Sequence, residues 1–206
     1  MSEWFIYLEL GCRHIADLSG YDHILFIAAL ALGYLPSEWK RLALLVTAFT
    51  VGHSLSLAAA TLGLVVLPAA VIEVLIPATI IATAIHAVLD QHRSRRRDAR
   101  QRPQRGTSIP LYFVTVLFGV IHGLGFSSYL RALLGNSGSI VAELFAFNIG
   151  LEVGQLLILA VVVAVSAIAI RVLFTERDWV HLVGGATSGI ALVLLVERAS
   201  EALRTL

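Results

Sequence analysis

Long uncharged apolar runs constrain the fold of this chain more than any other feature of its sequence. The fifteen residues from Leu156 to Ile170 contain no charged side chain. Across the whole chain, 58% of residues are hydrophobic and only 14% are charged, a composition outside the range of soluble domains. The sequence therefore predicts an integral membrane protein.

Polar breaks between the apolar runs predict about six transmembrane helices. A bilayer core requires about 20 apolar residues per helix, so the 206 residues fit one transmembrane domain, residues 1–206, without a further soluble domain. The predicted fold class is all-α, a polytopic membrane helix bundle. The predicted spans lie near residues 18–36, 41–67, 69–89, 110–134, 139–171 and 179–198.

An arginine-rich segment divides the predicted helices into two three-helix halves. Residues 93–105 contain seven arginines in thirteen positions, which predicts an exposed loop over about residues 90–108. Because basic loops are retained in the cytoplasm, we expect this loop to be cytoplasmic and both termini to face outward. A charge run of this kind is typical of a solvated topology signal, so we expect no nucleic-acid partner.

Metal-binding chemistry in this chain is restricted to nitrogen and oxygen ligands. Cys12 is the single cysteine, which excludes an internal disulfide and a Cys-x-x-Cys site. Ionisable side chains inside a membrane cost several kcal/mol, about 3 on insertion scales, and therefore need a partner or a function. Imidazoles and carboxylates together favour a divalent transition metal such as nickel, cobalt, zinc or iron.

Six ionisable residues in or beside the apolar runs are candidate metal ligands. His53 and His122 each lie about a dozen residues inside a predicted helix, near the membrane midplane. Asp22 and His23 lie about one turn in from the outer side, so the predicted site opens outward. The candidate ligands are His14, Asp22, His23, His53, His122 and Glu152.

Other polar residues are candidates for supporting the site or lining the ion path. Asn148, Glu152 and Gln155 follow i, i+4, i+7 spacing and share one helix face. For each of them, hydrogen bonding between helices without a metal is the alternative interpretation. The inner half of the third span offers Thr79, Thr83 and His86, and no exit path is evident from the sequence. The supporting candidates are Ser54, Glu73, Asn148 and Gln155.

Four motifs resemble the HupE/UreJ family of hydrogenase and urease accessory membrane proteins. They are GCRHIADLSGYDHILF at 11–26, FTVGHSLSL at 49–57, FGVIHGLGF at 118–126 and FNIGLEVGQL at 147–156, and the likeness covers nearly the whole chain. The resemblance implies a small multi-pass protein of the bacterial inner membrane that acts as a nickel or cobalt permease.

The resemblance also implies ligand positions. Nickel carriers that this family resembles have a His and Asp-His signature in an early helix, which His14 and Asp22–His23 match here with a wider spacing. The remaining family positions are His53, His122 and Glu152. A bilayer and a metal ion are then the expected partners, and the apolar outer surface is compatible with a homo-oligomer.

Three functions are compatible with these residues. The leading hypothesis is a permease for a divalent transition metal ion. The alternative is a membrane-embedded zinc-type hydrolase for a lipid or another amphiphile, in which Glu152 or Ser54 positions or deprotonates a metal-bound water. The third is a metal-free accessory protein whose histidines bond across helices.

Overall fold

A computed structural model describes residues 3–18, 20–96, 109–134 and 140–204, without the side chains of residues 92–96 and 134. Over these ranges the chain forms seven α-helices and a short 3₁₀ helix and contains no strand. The predicted all-α bundle is thereby confirmed. The α-helices are α1 (Glu3–Ile15), α2 (Asp22–Ala31), α3 (Trp39–Thr61), α4 (Ala69–Arg96), α5 (Ile109–Leu134), α6 (Ile140–Val172) and α7 (Glu176–Arg204).

Five of these helices, α3 to α7, are long and apolar enough to cross a membrane, and they correspond to the last five predicted spans. The first predicted span, 18–36, differs from the structure. Its apolar helix α2 has ten residues and is therefore about 15 Å long, half of a bilayer core. The stretch before α2 contains Gly20, a poor helix former, and it separates α2 from the additional helix α1.

The arginine-rich segment begins as helix rather than loop. Helix α4 continues to Arg96, so the first part of the loop predicted at about residues 90–108 is helical. Residues 97–108 lie outside the described residues. The segment separates α1–α4 from α5–α7. The two halves therefore do not contain three helices each, because the N-terminal region forms two short helices instead of one span.

Glycines bring two pairs of helices into close contact and show their relative direction. A side chain on Gly119 of α5 would collide with the backbone of Phe49 in α3, and one on Gly123 with that of His53. Residue numbers increase together along this contact, so α3 and α5 are parallel. Small residues allow such close backbone approach in membrane bundles. Gly150 and Gly154 of α6 pack in the same way on α1. Helices α1 and α6 are therefore also parallel.

Both described chain ends lie at one end of the bundle. Helices α4 and α7 are antiparallel, because Glu73 pairs with Arg198 at one end, 3.5 Å apart, and Gln91 donates to Glu176 at the other. We call the end that holds Glu3 and Arg204 the terminal end. The opposite end, where the arginine-rich segment follows α4, is the loop end.

Polar and apolar side chains are distributed as a membrane requires. On the outer face of α6, Leu157, Val161 and Ile168 are each more than 60% exposed. Inside the bundle, by contrast, His53 and Gln155 are at most 1% exposed. An apolar exterior around a polar interior suits a bilayer as solvent, and the exposed surface is therefore the lipid-facing surface.

Candidate metal centre

Three histidines from three different helices meet inside the bundle. His14 lies in the last turn of α1, His23 in the first turn of α2, and His53 in the middle of α3. One ring nitrogen from each histidine lies within 4.8 Å of the other two. The ring centroids of His14 and His23 are 4.9 Å apart, and those of His23 and His53 are 5.5 Å apart. We call His14, His23 and His53 the histidine cluster.

The break between α1 and α2 produces this cluster. Because α1 ends at Ile15 and α2 begins at Asp22, two histidines from opposite sides of the break face each other, which a continuous helix would not allow. Aromatic rings then enclose them. Phe126 lies against His14 with ring centroids 3.8 Å apart, and Phe49 lies 5.9 Å from the ring of His53. The cluster therefore lies in a largely apolar wall.

The histidine cluster is largely buried, and five of its six ring nitrogens lack a hydrogen-bond partner among the described residues. His23 is 4% exposed and His53 is fully buried. Among the described residues, no hydrogen-bond partner reaches Nε2 of His14 or either ring nitrogen of His23 and His53. Buried polar groups are normally paired, and every neutral imidazole offers one lone pair. Three unpaired imidazoles that converge on one point have the donor set that nickel, cobalt and zinc bind.

The spacing of the cluster is close to that of a metal site. Imidazole nitrogens bind such an ion at about 2.1 Å, which puts tetrahedral ligands roughly 3.4 Å apart. Separations of up to 4.8 Å would thus contract by roughly 1 Å when an ion binds. Side-chain rotation alone supplies a movement of that size.

His122 of α5 lies beside the cluster and is held by Thr79 of α4. Its ring centroid is 5.3 Å from that of His23, and its Nε2 is 3.0 Å from the Thr79 hydroxyl oxygen. That hydroxyl donates its proton to the carbonyl oxygen of Ile76 at 2.7 Å, so we infer that His122 donates through Nε2. Its Nδ1 has no partner among the described residues and in this tautomer carries a lone pair.

Asp22 supplies a carboxylate next to the cluster. It opens α2, and its Oδ1 lies 3.5 Å from Nδ1 of His23. A carboxylate beside a ligating histidine orients the ring and increases its basicity. Asp22 is therefore placed either to bind the ion directly or to orient His23.

A cavity of about 280 Å³ connects this region with the terminal end. Its wall includes His14, Asp22, His23 and His122, whereas the fully buried His53 lies behind the lining. Three further charged residues line the same cavity, namely Asp17, Glu73 and Arg198. The predicted role of Glu73 near the path is compatible with this position.

The structure places Glu152 and Gln155 apart from the cluster. Thr47 donates to Oε1 of Glu152 at 2.6 Å, and Thr50 donates to Oε1 of Gln155 at 2.5 Å. Both pairs join α3 to α6. Thr47 precedes His53 by six residues, about 9 Å along α3 toward the loop end. Glu152 is therefore hydrogen-bonded to α3 and is not one of the three convergent histidine ligands, although its Oε2 has no partner among the described residues.

The other two supporting candidates also lie outside the cavity wall. Ser54 is half-buried on α3, and neither it nor Asn148 is among the described residues that line the terminal-end cavity. Sequence reasoning missed Asp17 and Arg198, which do line it. Arg198 is near the end of the last helix, and nothing in the local sequence indicates its pairing with Glu73.

Comparison with known families agrees with the four motifs. The family model described as HupE / UreJ protein matches residues 1–198, a range that includes every residue of the cluster and of the terminal-end cavity. No curated protein and no solved structure matches the chain.

Proposed function

The chain belongs to the HupE/UreJ family, and from this membership and the histidine cluster we propose that it is a permease for a divalent transition metal ion in the bacterial inner membrane. The observation that carries the proposal is the convergence of three unpaired imidazoles inside a membrane bundle. The family is associated with nickel and cobalt, and these ions, zinc and iron all suit imidazole ligands.

The terminal-end cavity would admit the ion from outside the cell. Basic segments are retained in the cytoplasm, so the arginine-rich segment orients the loop end inward and the terminal end outward. The carboxylates of Asp17, Glu73 and Asp22 line the cavity and attract a cation. The imidazoles of the histidine cluster then replace waters of its hydration shell.

The residues around the cluster fit a site that also releases its ion. Its three imidazoles are neutral ligands, and Asp22 is the nearby carboxylate, with Oδ1 3.5 Å from Nδ1 of His23. Fewer charged ligands bind a divalent cation less tightly. His122, whose Nδ1 is unpaired beside His23, offers the next nitrogen to an ion that leaves the cluster.

Metal uptake into liposomes tests the permease. Protein purified without a histidine tag would be reconstituted with an internal metal-sensitive dye, and Ni²⁺, Co²⁺ or Zn²⁺ would be added outside. We expect uptake by the wild type and its loss in His23→Ala. His181→Ala is the matched control, because His181 lies at the loop end of α7 and donates through Nδ1 to the carbonyl of Arg177. Wild-type uptake no greater than that of protein-free liposomes would contradict the proposal.

The same assay separates the permease from the other two hypotheses. A metal-dependent hydrolase would bind metal through the cluster without transporting it. Neither Ser54 nor Glu152 lines the terminal-end cavity, so the positions of these two residues do not favour the hydrolase. A metal-free accessory protein would show neither metal binding nor uptake, and His23→Ala would change only its stability.

A further inference from the structure

A second cavity, of about 550 Å³, lies at the loop end between α2, α4 and α5. Its wall combines apolar side chains with a small number of polar ones. The polar side chains include Thr83, His86, Asp90 and Thr115. We call this space the loop-end cavity. The sequence placed Thr83 and His86 in the inner half of the third span, but it showed no exit path there.

A ring contact joins the walls of the two cavities. His122 lines the terminal-end cavity, Phe26 lines the loop-end cavity, and their ring centroids are 5.4 Å apart. Phe26 is 1% exposed and stacks on Phe49 with ring centroids 4.6 Å apart. Where the two cavity walls meet, side-chain rings are therefore in contact, and Phe26 stands between His122 and the loop-end cavity.

Helix α4 forms part of the wall of both cavities. Ile76 and Pro77 line the first cavity, and Thr83 lines the second. Between them Thr79 contacts His122. Pro77 has no N–H to complete the helix hydrogen bond at this point, so α4 lacks one backbone hydrogen bond about a turn from Thr79.

The polar residues of the loop-end cavity suit a hydrated cation. Thr83, His86 and Asp90 are spaced i, i+3, i+7 and share one face of α4. The hydroxyl of Thr83 donates to the carbonyl of Thr79 at 2.8 Å, and that of Thr115 donates to the carbonyl of Leu111 at 2.8 Å. Since these protons are used, both hydroxyl oxygens are available as acceptors, which is what the water shell of a cation requires.

We propose that the loop-end cavity is the release vestibule of the transport path, with Phe26 as the barrier and His86 and Asp90 as the residues that receive the ion. This inference rests on the proposed function. The ion leaves the histidine cluster beside His122 and passes Phe26 when that ring rotates. It then reaches an imidazole and a carboxylate, the ligand types that transition metals accept.

Cysteine accessibility tests the vestibule without any transport measurement. Cys12 is the only native cysteine, so Thr83→Cys would be made in a Cys12→Ser background and treated with a membrane-impermeant thiol reagent. We expect Thr83→Cys to react from the loop-end side alone. Leu117→Cys on α5 is the matched control. Leu117 is exposed on the apolar surface two residues from Thr115 and lines neither cavity, so it should not react from either side.

Two labelling results would overturn the inference and leave the permease untouched. A Thr83→Cys variant that reacts from neither side would indicate a cavity filled by lipid or closed to water. Reaction from the terminal-end side would indicate that the cavity does not belong to the inner half of the path. The metal uptake lost in His23→Ala remains the separate test of the permease.

Two further variants test the roles of the barrier and of the receiving residues. Phe26→Ala should allow Thr83→Cys to react from both sides, because it removes the ring between the cavities. A His86→Ala, Asp90→Asn double variant should reduce metal uptake about tenfold, the lower range for loss of groups around a metal, without changing the affinity of the histidine cluster. Uptake equal to that of the wild type would overturn the role of His86 and Asp90.

Discussion

Helix α3 carries two groups of polar residues that differ in their hydrogen bonding. Thr47 and Thr50 are hydrogen-bonded to Glu152 and Gln155 of α6, whereas both ring nitrogens of His53 lack a partner among the described residues. The first group joins two helices. The second group converges with imidazoles from α1 and α2, an arrangement that presents several ring nitrogens to one ion. Glu152 also keeps one oxygen, Oε2, without a partner among the described residues, but it stands outside this convergent set.

Energetic magnitudes support this distinction. A hydrogen bond between membrane helices contributes about 0.6 kcal/mol on average, so each threonine pair stabilises the bundle modestly. A buried polar group without a partner costs roughly 1–3 kcal/mol. Unpaired imidazoles at one point are therefore expensive for a purely structural role, and an ion that binds them removes that cost.

The largest expected effect is the loss of metal binding in His53→Ala. Loss of the ligand at this fully buried position should lower the affinity for Ni²⁺ or Zn²⁺ about 100-fold, the upper range for groups around a metal. Calorimetric titration in detergent measures this affinity. Gln155→Ala of α6, which removes the hydrogen-bond partner of Thr50, is the matched control and should bind metal as the wild type does. Equal loss in both variants would break the distinction between the two groups.

Metal should also stabilise the protein through the histidine cluster. At a free-ion concentration 100 times the Kd, binding adds about 2.7 kcal/mol to the free energy of unfolding, which should raise the thermal midpoint of the wild type. Gln155→Ala should show the same rise and His14→Ala should not. A rise that persists in His14→Ala would place the ion elsewhere.

A smaller effect is expected for Thr79→Val. The change removes the acceptor that holds Nε2 of His122 and should lower metal affinity about tenfold, as loss of an orienting partner typically does. Thr79→Ser keeps the hydroxyl and should therefore have the metal affinity of the wild type. Titration of both variants with metal measures this affinity. If Ser and Val behave alike, the Thr79 hydroxyl does not orient His122.

The smallest effect is expected for Glu152→Gln. The amide oxygen still accepts from Thr47, so the free energy of unfolding should change by no more than about 0.6 kcal/mol and metal affinity should stay the same. Chemical denaturation and titration measure the two quantities. A loss of affinity comparable to that of His53→Ala would return Glu152 to the ligand set.

Much of the fold was predictable because a bilayer imposes length and polarity on each helix. The five long helices from α3 to α7 appear close to their predicted positions. The first span, predicted at 18–36, was wrong because hydropathy does not show where a helix breaks. That break, between Ile15 and Asp22, is the feature that brings His14 and His23 together.

The residue types of the candidate site were predictable from the sequence, but the individual residues that belong to the site were not. An intramembrane His53 and an intramembrane Glu152 look equally costly in the sequence. What separates them is the neighbouring helix, since Thr47 reaches Glu152 while other histidines surround His53. Spacing within one helix contains no information on such partners.

By itself, the sequence determined that the chain is a polytopic membrane protein of the HupE/UreJ family. It also determined that imidazole and carboxylate groups lie inside the bilayer. Both follow from the sequence because the length of an apolar run and the presence of a motif are properties of consecutive residues. Only the tertiary structure decided which polar groups are paired and which converge, and that a ring contact between Phe26 and His122 joins the walls of two cavities. Those features depend on contacts between helices distant in sequence, and close packing at glycines sets these contacts.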